Sequence, residues 1–271
     1  MKMSIVIPCY NEEENIPIIL DKFDNILTNE DIEIILVNNG STDNSDEVLK
    51  RLLPKYLFAR TVLVPINKGY GYGIFQGLKE AKGDFLGWMH ADMQTDPQDV
   101  IRAYKILEKN NWNKNIYVKG KRKKRSFVEN FFTIGMSIFE TIYLREFLWD
   151  INGQPNVFSR KFYNTWIEPP KDFSFDLYVL YMAKKQRLDF KRIDVLFPSR
   201  INGVSSWNTG LLSKWKLIKK IIKNGIKFYI ASGRSYDQIG YVTEQLEVKI
   251  PIIAANGARI FDADGNMIYE K

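Results

Sequence analysis

The sequence predicts an α/β protein in which helices flank a mostly parallel central sheet. Short apolar runs of strand length alternate with longer segments of helical periodicity, as in βαβ units. The 271 residues are 45% hydrophobic, which is enough for one large domain or for one domain with an appendage. Polar, turn-forming segments follow the apolar runs, and in open α/β sheets ligands bind at such positions.

The first strand and the first helix are predicted near the start of the chain. The run SIVIPCY is β-branched and leads into a polar loop, so it predicts a buried strand. Asn11 is suited to cap the helix that follows. Apolar side chains then recur at helical spacing, which predicts a helix with one buried face. They are Ile16, Ile19, Leu20, Phe23 and Leu27.

The alternation continues through three further strands. IEIILV predicts a second buried strand, and NNGSTDNS has the chemistry of a turn and a cap before a helix that carries Val48, Leu49 and Leu52. TVLVPI predicts the third strand, which a glycine-rich turn, NKGYGYG, and a helix to about Lys82 follow. The strand DFLGWM then delivers His90, the one histidine of the sequence.

Three polar segments come directly after predicted parallel strands. They are PCYNEE, NNGSTD and HADMQTD. Because the carboxyl ends of parallel strands meet at one edge of the sheet, these segments are expected to converge there. The sequence therefore predicts a ligand site at this edge.

The pattern changes after Ile116, where a basic loop and a long apolar, aromatic stretch are expected. Six of the seven residues in KGKRKKR, residues 119–125, are basic. Such a run fits a solvated loop, and it also fits contact with phosphates or with anionic lipid. The amphipathic segment LLSKWKLIKKIIK fits ordinary packing and a membrane surface equally well.

Composition limits the setting and the partners. Cys9 is the single cysteine, so no disulfide framework is possible and a reducing compartment is expected. The first residues lack the apolar segment of a signal peptide, and no run is long enough to span a bilayer. We therefore expect a cytoplasmic protein, and any contact with the membrane would be peripheral and at its inner face. No nucleic-acid motif is present, so nucleic acid is not an expected partner.

The turn GWMHADMQTDP is the strongest candidate for metal binding. Metal ions that bind diphosphates prefer oxygen ligands from the protein. The side chains of Asp92 and Gln94 supply such oxygens. The alternative is structural, because Asp92 and Asp96 also suit the cap of a helix that begins near Pro97.

Several motifs, in order, resemble those of family 2 inverting glycosyltransferases of the GT-A fold, particularly the branch similar to dolichol-phosphate mannose synthase. They are SIVIPCYNEEENI, IEIILVNNGSTDNS, NKGYGYGIFQGLKEAKGDFLGWMHADMQTDP and DINGQPNVFSR. The resemblance covers about residues 1–223. It implies a metal-dependent enzyme that moves a sugar from a nucleotide-sugar donor to a polyprenyl phosphate or a glycan.

The resemblance also implies which residues form the site. The nucleotide-binding residues are expected to be Pro8, Tyr10, Asn11, Glu12, Asn38, Asn39 and Lys68. Relatives commonly have aspartates where this chain has Asn38 and Asn39, which leaves the identity of the nucleotide open. The metal ligands are expected to be His90, Asp92 and Gln94, with Mn or Mg as the cofactor. Because an imidazole suits Mn better than Mg, His90 predicts a shift in metal preference. The alternative is that His90 contacts a phosphate.

Asp92 and Asp176 are the expected catalytic carboxylates. For a hydroxyl acceptor Asp176 matches the family's general base, whereas an ionised lipid phosphate needs no base and leaves Asp176 to organise the site. Arg122 and Arg125 resemble basic positions that hold the acceptor's phosphate in the polyprenyl-phosphate branch of the family. Arg200 is expected to contact the same phosphate.

The C-terminal segment, residues 224–271, resembles part of a Cof-type haloacid dehalogenase-like phosphatase. Ser232 matches the family's phosphate-binding position, but no aspartate nucleophile segment precedes Gly225. We expect a small, incomplete α/β appendage of a strand, a helix, a second strand and a β-hairpin around DADG.

Two functions compete with the transferase. The first is a disabled transferase that binds a nucleotide sugar or a lipid without turnover, because the usual aspartates are replaced at Asn38 and Asn39. The second is a phosphatase built on the C-terminal segment, which the missing nucleophile argues against.

Overall fold

A computed structural model gives the structure of most of the first two thirds of the chain and of four short C-terminal strands. The residues that the structure describes are 1–28, 30–123, 150–196, 230–231, 252–254, 259–261 and 266–270. The chain divides into two compact units, Met1–Gly203 and Val204–Lys271. The expected boundary between residues 223 and 224 falls outside the described residues and stays a prediction.

The described strands of the first unit form one seven-stranded sheet in the order β3-β2-β1-β4-β6-β5-β7. The strands are β1 (Met3–Cys9), β2 (Ile32–Asn39), β3 (Ala59–Val64), β4 (Phe85–Trp88), β5 (Ile116–Lys123), β6 (Asn156–Ser159) and β7 (Asp189–Leu196). β6 is antiparallel to both of its neighbours, and the other pairs are parallel. The predicted mostly parallel sheet is confirmed.

Helices cover both faces of this sheet. They are α1 (Asn15–Ile26), α2 (Ser45–Leu52), α3 (Tyr70–Glu80), α4 (Gln98–Lys109), α5 (Arg160–Tyr163) and α6 (Phe175–Lys185). Successive side chains of a strand point to opposite faces, so Ile5 and Ile7 pack with α1 and α4, while Val6 packs with α3 and α6. Because both faces are covered, every residue of β2 is buried.

The chain changes direction across the sheet between β1 and β4. β2 and β3 lie on one side of β1, whereas β4 and all later strands of this sheet lie on the other. Such a switch point opens a crevice at the carboxyl ends of the strands. The reversed strand β6 begins at this same edge, since Asn156 lies opposite Trp88 at the end of β4.

Two local predictions are wrong. Asn11 does not cap α1, which begins at Asn15 after Glu14. The segment expected to be a basic loop after Ile116 is strand β5 as far as Lys123. Its inward side chains find polar partners in the interior, so the basic composition does not prevent strand formation.

The described part of the second unit contains four strands in the order β11-β10-β9-β8. They are β8 (Ile230–Ala231), β9 (Ile252–Ala254), β10 (Arg259–Phe261) and β11 (Met267–Glu270). β8 and β9 are parallel, and β10 pairs antiparallel with β9 and with β11. The hairpin expected around DADG is therefore present, while the expected helix and Ser232 lie outside the described residues.

Within the described residues, no helix combines the length and the apolar character that crossing a bilayer requires. The aromatic stretch 131–149 and the amphipathic segment 211–223 are not part of the described chain, so the expectations about them stay predictions.

Candidate functional site

The three polar segments predicted to converge do end neighbouring strands. Cys9 at the end of β1 lies opposite Asn38, and Asn39 at the end of β2 lies opposite Val64. Trp88 ends β4 and is followed by His90. The segments after β1, β2 and β4 therefore share the edge at which the switch point lies.

The loop after β1 is fastened to the loop after β2. Asn11 adopts a left-handed φ of 57°, and its Oδ1 accepts the backbone N–H of Thr42 at 2.8 Å. The backbone N–H of Asn11 donates to Ser41 Oγ, and that of Glu12 donates to Ser45 Oγ. These bonds hold the two loops together and leave Tyr10 43% exposed at the edge.

Asn38 and Asn39 are buried, and their amide groups bind neighbouring loops. Asn38 Oδ1 accepts the backbone N–H of Ser41, and its Nδ2 donates to Asp46. Asn39 Nδ2 donates to the backbone carbonyl of Gly69 at 3.1 Å. Asparagine thus serves here as a donor, which an aspartate at the same position could not do.

Close backbone packing brings the start of α3 to Asn39. A Cβ atom on Gly73 would lie 2.8 Å from the side-chain Cγ of Asn39, so the absence of a side chain permits this approach. Lys68 lies just before α3, and its Nζ is 5.4 Å from the centre of the Tyr72 ring. Lys68 is exposed at the same edge.

The turn after β4 carries the predicted metal ligands. Asp92 is 7% exposed, and its Oδ1 accepts the backbone N–H of Gln94 at 3.2 Å. The His90 ring stacks on Tyr70 with ring centres 5.5 Å apart. Asp96 Oδ1 accepts the backbone N–H of Gln98, so the capping role lies with Asp96. In the described residues no group of three or more histidine, cysteine or acidic side chains is placed to hold a metal.

Asp176 lies in the first turn of α6 and is 3% exposed. Burial raises the pKa of Asp176, although the charges of Lys119 and His90 and a hydrogen-bonding interaction with the Tyr70 hydroxyl act in the opposite direction. The amide Nδ2 of Asn156 donates to Asp176 Oδ1 at 3.4 Å. The carboxyl therefore has an environment that favours its protonated form, as general bases and acids often do.

Lys119 is fully buried beneath this carboxyl. Its Nζ donates to the backbone carbonyls of Ile151 and Gly153 at 2.7 and 2.9 Å and to Asn156 Oδ1 at 2.7 Å. Burial lowers the pKa of Lys119 from 10.5 to about 7, and Asp176 partly offsets this effect. These hydrogen bonds hold the loop that precedes β6 in place. Because its pKa is lowered, Lys119 loses its proton more readily than an exposed lysine does.

Arg122, predicted to contact an acceptor phosphate, forms a buried ion pair with Asp150. Its backbone N–H and its Nε each donate to a carboxylate oxygen of Asp150 at 2.6 Å. Arg192 on β7 lies nearby along the same strand pair, and its Nη1 donates to the Gly120 carbonyl. The other two predicted acceptor residues, Arg125 and Arg200, lie outside the described residues.

The structure adds residues that the sequence motifs did not single out. Tyr70, Lys119, Gln154 and Asn156 surround Asp176 or bond to its neighbours. Gln154 and Asn156 belong to the motif DINGQPNVFSR, so the sequence contains a signal for these two residues. For Lys119 the basic run concealed a residue whose side chain is fully buried.

Comparison with known proteins identifies two regions of similarity. Residues 213–271 match the sequence model of the haloacid dehalogenase-like hydrolases, which agrees with the expected C-terminal resemblance. Residues 4–170 match the sequence model of glycosyl transferase family 2, and this range includes the loops after β1, β2 and β4.

Curated relatives match a shorter part of the chain. An undecaprenyl-phosphate 4-deoxy-4-formamido-L-arabinose transferase of Yersinia enterocolitica is 35% identical over 111 residues, which are 40% of this chain and 34% of that protein. A dolichol-phosphate mannosyltransferase of Pyrococcus furiosus is 32% identical over 108 residues, or 40% of this chain and 30% of that protein. The matches thus span about a third of the length of these relatives.

Solved structures share the fold. Glucosyl-3-phosphoglycerate synthase from Mycobacterium tuberculosis, crystallised with Mn²⁺, UDP and glucosyl-3-phosphoglycerate, superposes with a TM-score of 0.59 at 18% identity. The match covers 84% of this chain and 81% of that one. A complex of the same enzyme with Mn²⁺, UDP-glucose and phosphoglyceric acid gives a TM-score of 0.61 at 17% identity. Since the family model matches more than half of the chain, the protein belongs to glycosyl transferase family 2.

Proposed function

We propose that this protein is a metal-dependent inverting glycosyltransferase that moves a sugar from a nucleotide-sugar donor to a polyprenyl phosphate or a glycan. One observation carries the proposal. The switch-point edge of one sheet carries the loops after β1 and β2, which hydrogen bonds join, together with the turn that contains Asp92 and the buried Asp176. The family membership and the two polyprenyl-phosphate transferases among the relatives support it.

The nucleotide would bind at the loops after β1 and β2. Tyr10 is exposed there for contact with the base, and Lys68 offers a positive charge beside the Tyr72 ring. Pro8, Asn11 and Glu12 would form one side of this part of the site, and the buried Asn38 and Asn39 would form its base.

The turn after β4 fits a metal ion that arrives with a diphosphate. Asp92 offers a carboxylate, Gln94 an amide oxygen and His90 an imidazole, while no larger cluster of ligands is found in the described residues. Mg²⁺ and Mn²⁺ often use one or two protein ligands and complete their coordination with phosphate oxygens, so this small set suffices. When bound, the ion would stabilise the negative charge on the departing nucleoside diphosphate.

The role of Asp176 depends on the acceptor. A hydroxyl acceptor must lose a proton, and a buried carboxylate with a raised pKa suits that task. A polyprenyl phosphate is already ionised, so Asp176 would then order the site. The polyprenyl-phosphate transferases among the relatives favour the lipid phosphate. Arg125 and Arg200 would hold it, whereas Arg122 is already paired with Asp150. A lipid acceptor would bring the reaction to a membrane face, which we expect to be the cytoplasmic one.

The test measures release of nucleoside diphosphate from a panel of nucleotide sugars, with Mn²⁺ or Mg²⁺, and with or without polyprenyl phosphate. The intact chain is compared with Asp92→Asn and with Asp84→Asn, a matched control because Asp84 is exposed and precedes β4 whereas Asp92 follows it. Release that requires metal and lipid and is lost only in Asp92→Asn supports the proposal.

Other outcomes point elsewhere. Donor binding without release by the intact chain would identify a non-catalytic nucleotide-sugar-binding protein. Hydrolysis of phosphate monoesters that Ser232→Ala abolishes would instead identify a phosphatase.

A further inference from the structure

Tyr70 is the first residue of α3, and glycines on both sides of it allow close packing against the segment that leads into α6. A Cβ atom on Gly69 would lie 2.5 Å from the carbonyl oxygen of Lys171, and one on Gly71 would lie 2.7 Å from that of Asp172. Gly69 also has a φ of 117°, which other residues rarely adopt. The backbone therefore brings Tyr70 to the start of the helix that carries Asp176.

The hydroxyl of Tyr70 has a defined orientation. Gln154 Nε2 donates to the Tyr70 hydroxyl oxygen at 2.8 Å, so the hydroxyl hydrogen is directed toward another acceptor. Asp176 is such an acceptor, and it interacts with the hydroxyl of Tyr70. Asn156 donates to the same carboxylate. Burial and the charge of Asp176 raise the pKa of the Tyr70 hydroxyl, which puts that hydroxyl near the carboxylate that Asn156 bonds.

The ring of Tyr70 holds the turn after β4. It stacks on the imidazole of His90 at an interplanar angle of 27° and on Phe173 at 7°, with the Phe173 ring centre 5.1 Å away. Phe173 lies in the segment that leads into α6 and is half exposed. One side chain thus contacts both halves of the proposed site.

We propose that Tyr70 is a positioning residue that keeps the Asp176 carboxylate and the His90 imidazole in a fixed relation, with its hydroxyl holding the first and its ring holding the second. This inference rests on the proposed function for its kinetic part only. In this role Tyr70 acts through Asp176 and His90 and need not touch the substrate.

Two substitutions separate the two contacts. Tyr70→Phe removes the hydroxyl and keeps the ring, whereas Tyr70→Leu removes both. Tyr56→Phe is the matched control, because the Tyr56 hydroxyl also bonds a carboxylate, Asp21, at an exposed position away from the site. Gln154→Met tests the role of the hydroxyl in a second way, because it removes the amide that donates to the Tyr70 hydroxyl oxygen and so orients the hydroxyl hydrogen.

The kinetic readout is nucleoside diphosphate release. With a hydroxyl acceptor, for which Asp176 would be the base, loss of a hydrogen bond to its carboxylate costs about 10-fold to 100-fold in rate, so Tyr70→Phe should lower kcat by that factor while the KM for the donor stays within about 2-fold. Gln154→Met should lower kcat in the same direction, and Tyr56→Phe should leave it unchanged. A kcat for Tyr70→Phe equal to that of the control would overturn the role of the hydroxyl.

The second readout uses the fact that His90 is the single histidine of the chain. In tag-free protein without added metal, the Hε1–Cε1 resonance of His90 is therefore identified without assignment. It should stay near its native position in Tyr70→Phe and move toward that of an unstacked imidazole in Tyr70→Leu. An unchanged resonance in Tyr70→Leu would overturn the role of the ring.

The two readouts fail separately. If the intact chain releases no nucleoside diphosphate from any donor, the proposed function fails, and the inference about the ring is still decided by the His90 resonance. If release occurs and neither Tyr70→Phe nor Gln154→Met lowers kcat, the function stands and the hydroxyl has no positioning role.

Discussion

The carboxylate of Asp150 accepts one hydrogen bond from the backbone N–H of Arg122 and another from its Nε, both at 2.6 Å. The two side chains are 6% and 8% exposed, so the pair is shielded from solvent. It joins the outer part of β5 to the loop that precedes β6. That loop also supplies the carbonyls that bind Lys119, which makes the pair part of the support of the proposed site.

Breaking this ion pair should destabilise the first unit strongly. Arg122→Met leaves the Asp150 carboxylate buried without its cation, and losing one partner of such a pair typically costs about 3 to 5 kcal/mol. Asp150→Asn should cost less, because the amide keeps one acceptor for Arg122. Urea unfolding measures both effects.

The matched control is Lys123→Met, which removes the partner of Asp194 in an exposed pair. Exposed pairs contribute roughly 0 to 1 kcal/mol, so this variant should unfold close to the native midpoint. If Arg122→Met unfolds at the same denaturant concentration as Lys123→Met, the buried pair is not a stabilising contact.

The stability of the first unit should rise with pH because of Lys119. An unfolded lysine keeps its proton up to about pH 10.5, whereas folded Lys119 has a pKa of about 7. Between these values the unfolded state binds more protons, and stability increases by at most about 1.4 kcal/mol per pH unit. Asp176 and Asp150 oppose this shift, and Arg122 and Arg192 add to it.

Unfolding at several pH values between 6 and 10 checks this sign against Lys119→Met and against Lys105→Met, which replaces an exposed lysine of α4. The native chain and Lys105→Met should gain stability together. Lys119→Met should lack this component, so that its stability relative to the native chain falls as pH rises. A pH dependence identical in all three proteins would refute the lowered pKa.

Restoring an aspartate at position 39 should weaken the protein. Asn39→Asp replaces an amide donor with a carboxylate that faces the Gly69 carbonyl, and an unsatisfied buried acceptor costs about 1 to 3 kcal/mol. The affinity for a nucleoside diphosphate, measured by calorimetry, should fall as well, since the Gly69 loop precedes Tyr70 and Lys68 is next to it. Asn113→Asp is the control, because the side-chain oxygen of exposed Asn113 accepts the backbone N–H of Asn115, and an aspartate can accept it as well.

The effect of Asp176→Asn should depend on the acceptor. With a hydroxyl acceptor the substitution removes the base, and kcat should fall by about 100-fold to 10,000-fold. With a polyprenyl phosphate no proton is transferred from the acceptor, and the loss should stay below about 10-fold. Measuring both acceptors with one preparation distinguishes a base from an ordering group. Equal losses with both acceptors would contradict the assignment of a base.

Much of the fold followed from local patterns. The apolar runs at Met3–Cys9 and Ile32–Asn39 are strands because both faces of the sheet are covered, and such strands are recognisable as continuous apolar segments. The segment Ile116–Lys123 was misassigned because its partners are distant in sequence. Lys119 can be buried because it donates hydrogen bonds to backbone carbonyls that lie more than thirty residues later in the sequence.

The candidate site was predictable where a motif carries the chemistry. Asp92 and Asp176 belong to such motifs, and both lie at the switch-point edge. Tyr70 was not chosen, because its importance arises from stacking on His90 and from a hydrogen bond with Gln154. Contacts of this kind depend on helix packing, which no local pattern encodes.

The reversed direction of β6 has a consequence for how such proteins can diversify. β5 leaves the sheet at Lys123 and β6 enters it at Asn156, and both points lie at the switch-point edge. The stretch that joins these two points therefore begins and ends beside the site. Its length and sequence can vary without changing the register of the two strands, so one part of this edge can change while the loops after β1 and β2 stay the same.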